Sequence, residues 1–198
     1  MGAKPSFLIA LILLLVTALP ARATVLRVVG DNNYPPYLFL GHDGKPRGYV
    51  VDEWKLWEQK TGVHVDLVAT DWADAQQRLL SGQADVIDMI FRTPAREALY
   101  DFTKPFAKVR VGIYVDAGIT GIDGPEALSG FNVGVERGDA CVERLHQHGV
   151  DSLHEYPGYA DIIGAAQRLD IRIFCMDEMP AAYYLYRLQG DTRFVKAF

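Results

Sequence analysis

The turn Ser81-Gly82-Gln83-Ala84-Asp85 leads into the apolar run Val86 to Ile90, and that run opens onto Thr93-Pro94-Ala95-Arg96. Threonine followed by proline signals a helix start, so the spacing predicts a strand that ends where a helix begins. Free backbone N–H groups and the positive end of a helix dipole gather at such a junction, and Arg96 adds a cation within one turn. The chemistry on offer is anion binding. A carboxylate is the natural small candidate, because a guanidinium meets it at two points in one plane. A plainer alternative pairs Arg96 on the surface with Glu97 or Asp101, an interaction worth less than about 1 kcal/mol.

The surrounding chain reads as the frame for this junction. Val25 to Val29 is apolar enough for a buried strand, and Asp31 to Tyr37 follows as an aromatic loop stiffened by Pro35 and Pro36. With φ fixed at both prolines the loop is cheap to order, so Tyr34 and Tyr37 can serve as pocket walls. The other reading is a rigid surface turn with core tyrosines. A helix runs from Gly48-Tyr49 to the stop at Thr61-Gly62, and Val63 to Val68 is a strand with Asp71-Trp72 at its end before the helix Ala73 to Leu80. Further on, Lys108 to Val115 is β-patterned and Phe131 to Val135 is a strand. Gly138-Asp139-Ala140-Cys141 makes a second turn into a helix, where N–H groups could point at a ligand. His154 to Tyr156 is a short strand, Tyr159 to Leu169 an amphipathic helix, and Ile171 to Met176 a strand carrying Asp177 at its end. Asp177 then either caps the helix Pro180 to Leu188 or faces a ligand. Strand and helix alternate throughout, which argues for an α/β fold of parallel sheets covered by helices. Ligand sites in such sheets lie at the C-terminal strand ends.

Composition narrows the function classes. Lys4, the apolar stretch Phe7 to Leu19 and Ala21-Arg22-Ala23 form an export signal with a cleavage site, expected over residues 1–23. Its removal would take Lys4 and Arg22 and move the net charge from −5 to −7. An acidic exported product is a poor match for nucleic acid. Cys141 and Cys175 are the two cysteines. In an oxidising compartment with no third thiol to compete, a bridge between them is favoured over two separate buried thiols. No G-x-S-x-G or phosphate loop is present, and His146 and His148 do not share a helix face. No catalytic residue, metal ligand or cofactor is expected.

A family resemblance sharpens these expectations. Ser81-Gly82-Gln83-x-Asp85, Thr93-x-x-Arg96 and Asp101-Phe102-Thr103-x-Pro105-Phe106 resemble the pattern of the extracellular solute-binding proteins of family 3, the amino-acid-binding Venus flytrap domains. Upstream, Asp31-x-x-Tyr34-Pro35-Pro36-Tyr37 and Asp43-Gly44-Lys45-x-x-Gly48-Tyr49-x-x-Asp52 extend the likeness, which covers nearly all of residues 25 to 198. The resemblance implies a two-lobed, type II periplasmic-binding-protein-like flytrap. Its expected parts are lobe 1 over 24–110, a hinge strand over 111–117, lobe 2 over 118–193 and the start of a return hinge strand over 194–198, with the first lobe incomplete at its C-terminal end. It also implies site roles. Arg96 would hold a ligand carboxylate with help from Thr93, Asp177 would accept the amino group across the cleft, Trp72 would pack over the solute, and Asp31 and Tyr34 would read its side chain. The chain departs from the amino-acid pattern at Asp88 to Arg92: Phe91 narrows a subsite and Asp88 adds an anion.

The implied function is capture of a small polar ligand, an amino acid or related zwitterion, in the periplasm, for a membrane permease of the ABC type or for ligand sensing. The segment Arg172-x-Phe174-Cys175-Met176-Asp177-x-x-Pro180-Ala181-x-Tyr183-Tyr184-Leu185 looks more like flytrap domains fused to transmembrane signalling outputs, including diguanylate cyclases or phosphodiesterases and histidine kinases. A non-catalytic module of a lytic transglycosylase is a more distant alternative.

Overall fold

The structure is a computed structural model and describes residues 25–188 and 192–198. The export signal expected over residues 1–23 lies outside the described residues. The chain opens with β1 (Val25–Asp31) and three short strands, β2 (Asn33–Tyr34), β3 (Leu38–Leu40) and β4 (Pro46–Arg47). Helix α1 (Tyr49–Thr61), β5 (His64–Thr70), α2 (Trp72–Leu80), β6 (Val86–Ile87) and the single-turn helix α3 (Pro94–Glu97) follow. Next come β7 (Val111–Asp116), a 3-10 turn at Pro125–Leu128, β8 (Val133–Glu136), α4 (Ala140–Gln147), β9 (Leu153–Tyr156) and α5 (Tyr159–Gln167). The last elements are β10 (Ile173–Asp177), α6 (Glu178–Ala182) running into a π-helical turn at Tyr183–Leu188, and β11 (Phe194–Lys196).

Two main sheets result. One has three strands in the order β5-β1-β6, all parallel, and the other has five in the order β11-β7-β10-β8-β9. A small antiparallel sheet, β2-β3-β4, flanks the first. The helical crossovers β8-α4-β9 and β9-α5-β10 give parallel pairing as the alternation predicts. β7 departs from that expectation, pairing antiparallel with both β10 and β11. The chain reaches β7 from α3 through residues 98–110, and no crossover helix there dictates its direction.

The strand sequences explain where the cores sit. Along β10 successive side chains face opposite ways. Phe174 and Met176 join Tyr114, Tyr159, Ile162, Ile163, Leu185 and Phe194, while Ile173 and Cys175 join Ile113, Val115, Val133, Val135 and Leu145. A sheet buried on both faces needs such an unbroken apolar run. Cys141 of α4 is bridged to Cys175 of β10, which clips that helix to the middle of the sheet. The three-stranded sheet has a smaller core of Val29, Trp72, Ala75 and Ala84.

Local signals set the element ends. Gly62 stops α1 in the left-handed conformation, at φ 72°. Asp71 caps α2 by accepting from the amides of Ala73 and Asp74. The strand expected over Val86 to Ile90 ends at Ile87, because Asp88 turns away to the Trp54 indole and Met89 takes φ 57°. The helix expected from Pro180 starts earlier, at Glu178, a start that places proline in the first turn where its missing N–H does no harm. No described helix is long and apolar enough to cross a membrane.

Candidate ligand-binding site

β1, β8 and β10 all direct their C-terminal ends toward one cleft between the two main sheets. β1 ends at Asp31, β8 at Glu136 and β10 at Asp177. These strand ends, with the loops behind them, line a cavity of about 20 Å³, room for about one water molecule. From the first half of the chain the lining includes Gly30, Asp31, Tyr34, Trp72, Asp88 and Phe91; from the second, Glu136, Asp139, Tyr159 and Asp177. A side chain at Gly30 would put its Cβ 2.6 Å from Leu38 Cδ2, so glycine there keeps the floor of the cavity open.

Arg96 stands beside this cavity rather than in its wall. It is only 7% exposed, and it forms no ion pair with a described residue. Its Nη1 donates to the Phe91 carbonyl at 3.1 Å, its Nη2 crosses the cleft to the Gly138 carbonyl at 2.9 Å, and its guanidinium lies 5.7 Å from the Trp72 ring centroid. Of the two surface partners considered for it, Glu97 binds Arg92 instead, and Asp101 makes no ion pair with it. Burial works against the Arg96 charge, and the Asp139 carboxyl offsets part of that effect.

The helix-start reading of Thr93 is corrected in one respect. Thr93 does cap α3, accepting from the Arg96 amide at 3.3 Å. With four residues, however, α3 is too short to build a substantial dipole. Any anion binding here rests on the guanidinium. Thr93 and Tyr37 do not line the cavity; Tyr37 stacks on Tyr34 from behind, with ring centroids 5.0 Å apart. Asp139 does line the cavity, but its Oδ1 is turned to its own helix, capping α4 by accepting from the Cys141 amide at 2.6 Å. That bond uses one of the N–H groups which the sequence had suggested for a ligand. Asp88 is satisfied on both oxygens, by Trp54 Nε1 at 2.5 Å and by the Met89 amide at 2.7 Å.

Asp177 occupies the N-cap position of α6 but makes no capping bond. Its Oδ2 accepts from the Tyr34 hydroxyl across the cleft, and its Oδ1 meets no donor. Glu136, absent from the expected site, lies 2% exposed against Asp31, with its Oε1 also without a donor. A glutamate closing the otherwise apolar Val133-Gly134-Val135 strand was the available clue. Burial is the main cause that pushes these acids up: Asp31 to about 7, Asp177 to about 8, and Glu136 well above the ordinary carboxylate range. Mutual repulsion among neighbouring carboxyls adds to each shift.

Further bonds join the two sides. Trp72 Nε1 and Gln76 Nε2 both donate to the Gly138 carbonyl at 3.1 Å, beside the Arg96 bond. At the other end of the cleft Asn33 Oδ1 accepts from the Ala160 amide at 2.6 Å and the Tyr184 hydroxyl at 3.0 Å. The halves are therefore closed on one another around the acids.

A strand-end cleft between two α/β halves is the architecture of type II periplasmic binding proteins. Residues 26–189 match the family Bacterial extracellular solute-binding proteins, family 3, and the chain belongs to it. Among curated relatives, the L-cystine-binding protein TcyJ of Escherichia coli (strain K12) is 33% identical over 125 residues, covering 61% of this chain and 47% of that protein. The chain spans about half the length of the curated relatives it matches. Among solved structures, a histidine kinase sensor domain with similarity to periplasmic binding proteins superposes with a TM-score of 0.82 at 27% identity, covering 89% of this chain and 77% of that one. An ancestral arginine-binding protein bound to arginine gives a TM-score of 0.78 at 24% identity, over 87% of this chain and 77% of that one; it speaks for the fold alone.

Proposed function

We propose that the cleft captures an amino-acid-like zwitterion, with Arg96 taking the carboxylate and Asp177 the ammonium. The observation that carries this reading is the buried Arg96 guanidinium without an ion-pair partner among the described residues. Such a charge is costly unless an anion completes it. Two of its N–H groups are held by backbone carbonyls, and a ligand carboxylate would replace the Gly138 carbonyl at the fork. Across the cleft, the free Oδ1 of Asp177 lacks a donor, which an ammonium supplies. A guest with both groups bridges the halves and stabilises the closed form, which is how occupancy becomes a conformational signal. Trp72, Tyr34 and Tyr159 provide the walls.

Membership of a solute-binding family supports binding without turnover, in the periplasm after export. The likeness to a kinase sensor domain supports a sensing role as well as delivery to a permease. Isothermal titration of Arg96→Ala with a panel of common amino acids and L-cystine tests the reading. Affinity should fall at least about a hundredfold, with an unchanged circular dichroism spectrum. Unaltered affinity would remove Arg96 from the site.

A further inference from the structure

The cavity wall contains five carboxyl groups, Asp31, Asp88, Glu136, Asp139 and Asp177, and no lysine, arginine or histidine. Arg96, behind that wall, is the one cation placed to answer them among the described residues. Asp88 and Asp139 are occupied by donors of the protein itself. The Asp31–Glu136 pair and Asp177 are not fully answered: Glu136 Oε1 and Asp177 Oδ1 are buried without a donor, at 2% and 1% residue exposure. An ordinary zwitterion brings one ammonium, enough for one of these two places. No three of the described His, Cys, Asp and Glu side chains are arranged to hold a metal ion. Tyr34 and Tyr159, whose rings pack against one another at 5.9 Å between centroids, both line the cavity, and an aromatic wall suits an organic cation instead.

We propose that the ligand carries a second cation on its side chain, making it a basic amino acid: its α-ammonium meets Asp177 and its side-chain cation meets the Asp31–Glu136 pair. This rests on the zwitterion reading of Arg96 and Asp177 and narrows it. Burial keeps Asp31 and Glu136 prone to hold a proton when no cation is near, so the pair is tolerable empty and becomes an anion on binding. L-cystine also brings a second ammonium, but a second carboxylate comes with it, and the cavity wall offers that group only acids, so it is disfavoured.

The test is isothermal titration of the full chain with L-arginine, L-lysine, their side-chain-neutral counterparts L-citrulline and Nε-acetyl-L-lysine, L-cystine, and agmatine, which is arginine without its carboxylate. The tighter of L-arginine and L-lysine should bind at least tenfold better than its neutral counterpart and better than L-cystine. Glu136→Gln should reduce that preference to about threefold or less, and an unchanged circular dichroism spectrum shows that the variant is folded. Neutral and basic ligands of equal affinity would overturn the second cation, and L-cystine as the tightest ligand would overturn the basic side chain, each leaving the zwitterion reading in place. Agmatine binding as well as L-arginine would uphold the cation preference and remove the carboxylate role of Arg96. No binding by any of these amino acids would overturn both.

Discussion

The two walls of the cleft treat their charges differently. On the three-stranded side, Asp88 is answered by Trp54 and Met89, and Asp31 by the Asn33 amide and Glu136. Arg96 rests on two carbonyls. On the five-stranded side, Glu136 and Asp177 each keep an oxygen with no donor. The supports differ in the same sense. The three-stranded sheet has a small core and half-exposed strand β5, whereas β8 and β10 are buried along their whole length and β10 is tied to α4 by a disulfide. Buried polar atoms without partners are costly, and only a frame with stability to spare can hold them in place. The heavier frame carries the unmet charge, and the lighter one carries the clasp.

The largest expected effect tests that difference in support. Phe174 is fully buried, stacked on Tyr114 at 5.4 Å and against Phe194 at the same centroid distance. Phe174→Ala should cost about 3–5 kcal/mol in urea unfolding. Leu67→Ala, in half-exposed β5, should cost only about 1–2 kcal/mol. Equal losses would mean that the two frames are equally stiff and that the contrast has another origin.

Reduction of Cys141–Cys175 should have the next largest effect. The bridge spans 34 positions, and closing a loop of that size is worth roughly 3 to 4 kcal/mol in the chain-entropy account. Hydrogen exchange resolves where the loss falls. Amides of β8, β9 and β10 should lose protection on reduction, while those of β1 and β5 change little. Uniform loss over both sheets would show a single cooperative unit, and the lighter half would then not be independent.

Much of this organisation is legible in the chain itself. The strand Val25 to Val29 leading to Asp31, the helix start after Asp71-Trp72 and the apolar run ending at Asp177 are all local patterns, and the structure places Asp31 and Asp177 in the cleft. Trp72 and Phe91 line it too. What stayed hidden depends on long-range geometry. That Glu136 faces Asp31 follows from how two sheets meet, which no local pattern encodes. Arg96 reads as a cation at a helix start, but that its guanidinium spans the cleft to Gly138 needs coordinates. Thr93 and Tyr37 fit their motifs and yet support the wall from outside it. The direction of β7 was also unreadable, because residues 98–110 lack any helix to constrain it.

The smallest effect, and the one that bears most directly on the unmet charge, is in the pH dependence of the empty protein. Asp31 and Asp177 have folded-state pKa values pushed up to about 7 and about 8, against about 3.9 unfolded. Between those limits the folded protein holds protons that the unfolded chain releases, so stability is full at low pH and declines as pH rises through 7 to 8. Opening of the cleft lets water reach the acids and caps the loss, which we set at about 2 kcal/mol from pH 5 to pH 8.5. That corresponds to a drop in Tm of roughly 4–8 °C for a chain of this size. Surface pairs such as His64–Glu58, where the glutamate raises the histidine, slope the same way, so the wild-type curve alone is not decisive. Asp177→Asn removes one cleft acid and leaves those pairs intact, and the difference between the two curves isolates the cleft. The variant should lose less Tm over the interval. Saturating L-lysine should flatten the wild-type curve as well, because a bound cation favours the ionised acids and its affinity grows with pH. Parallel curves for wild type and variant would show that Asp177 does not change its protonation in the folded protein between pH 5 and pH 8.5, and the contrast between the two walls would lose this support.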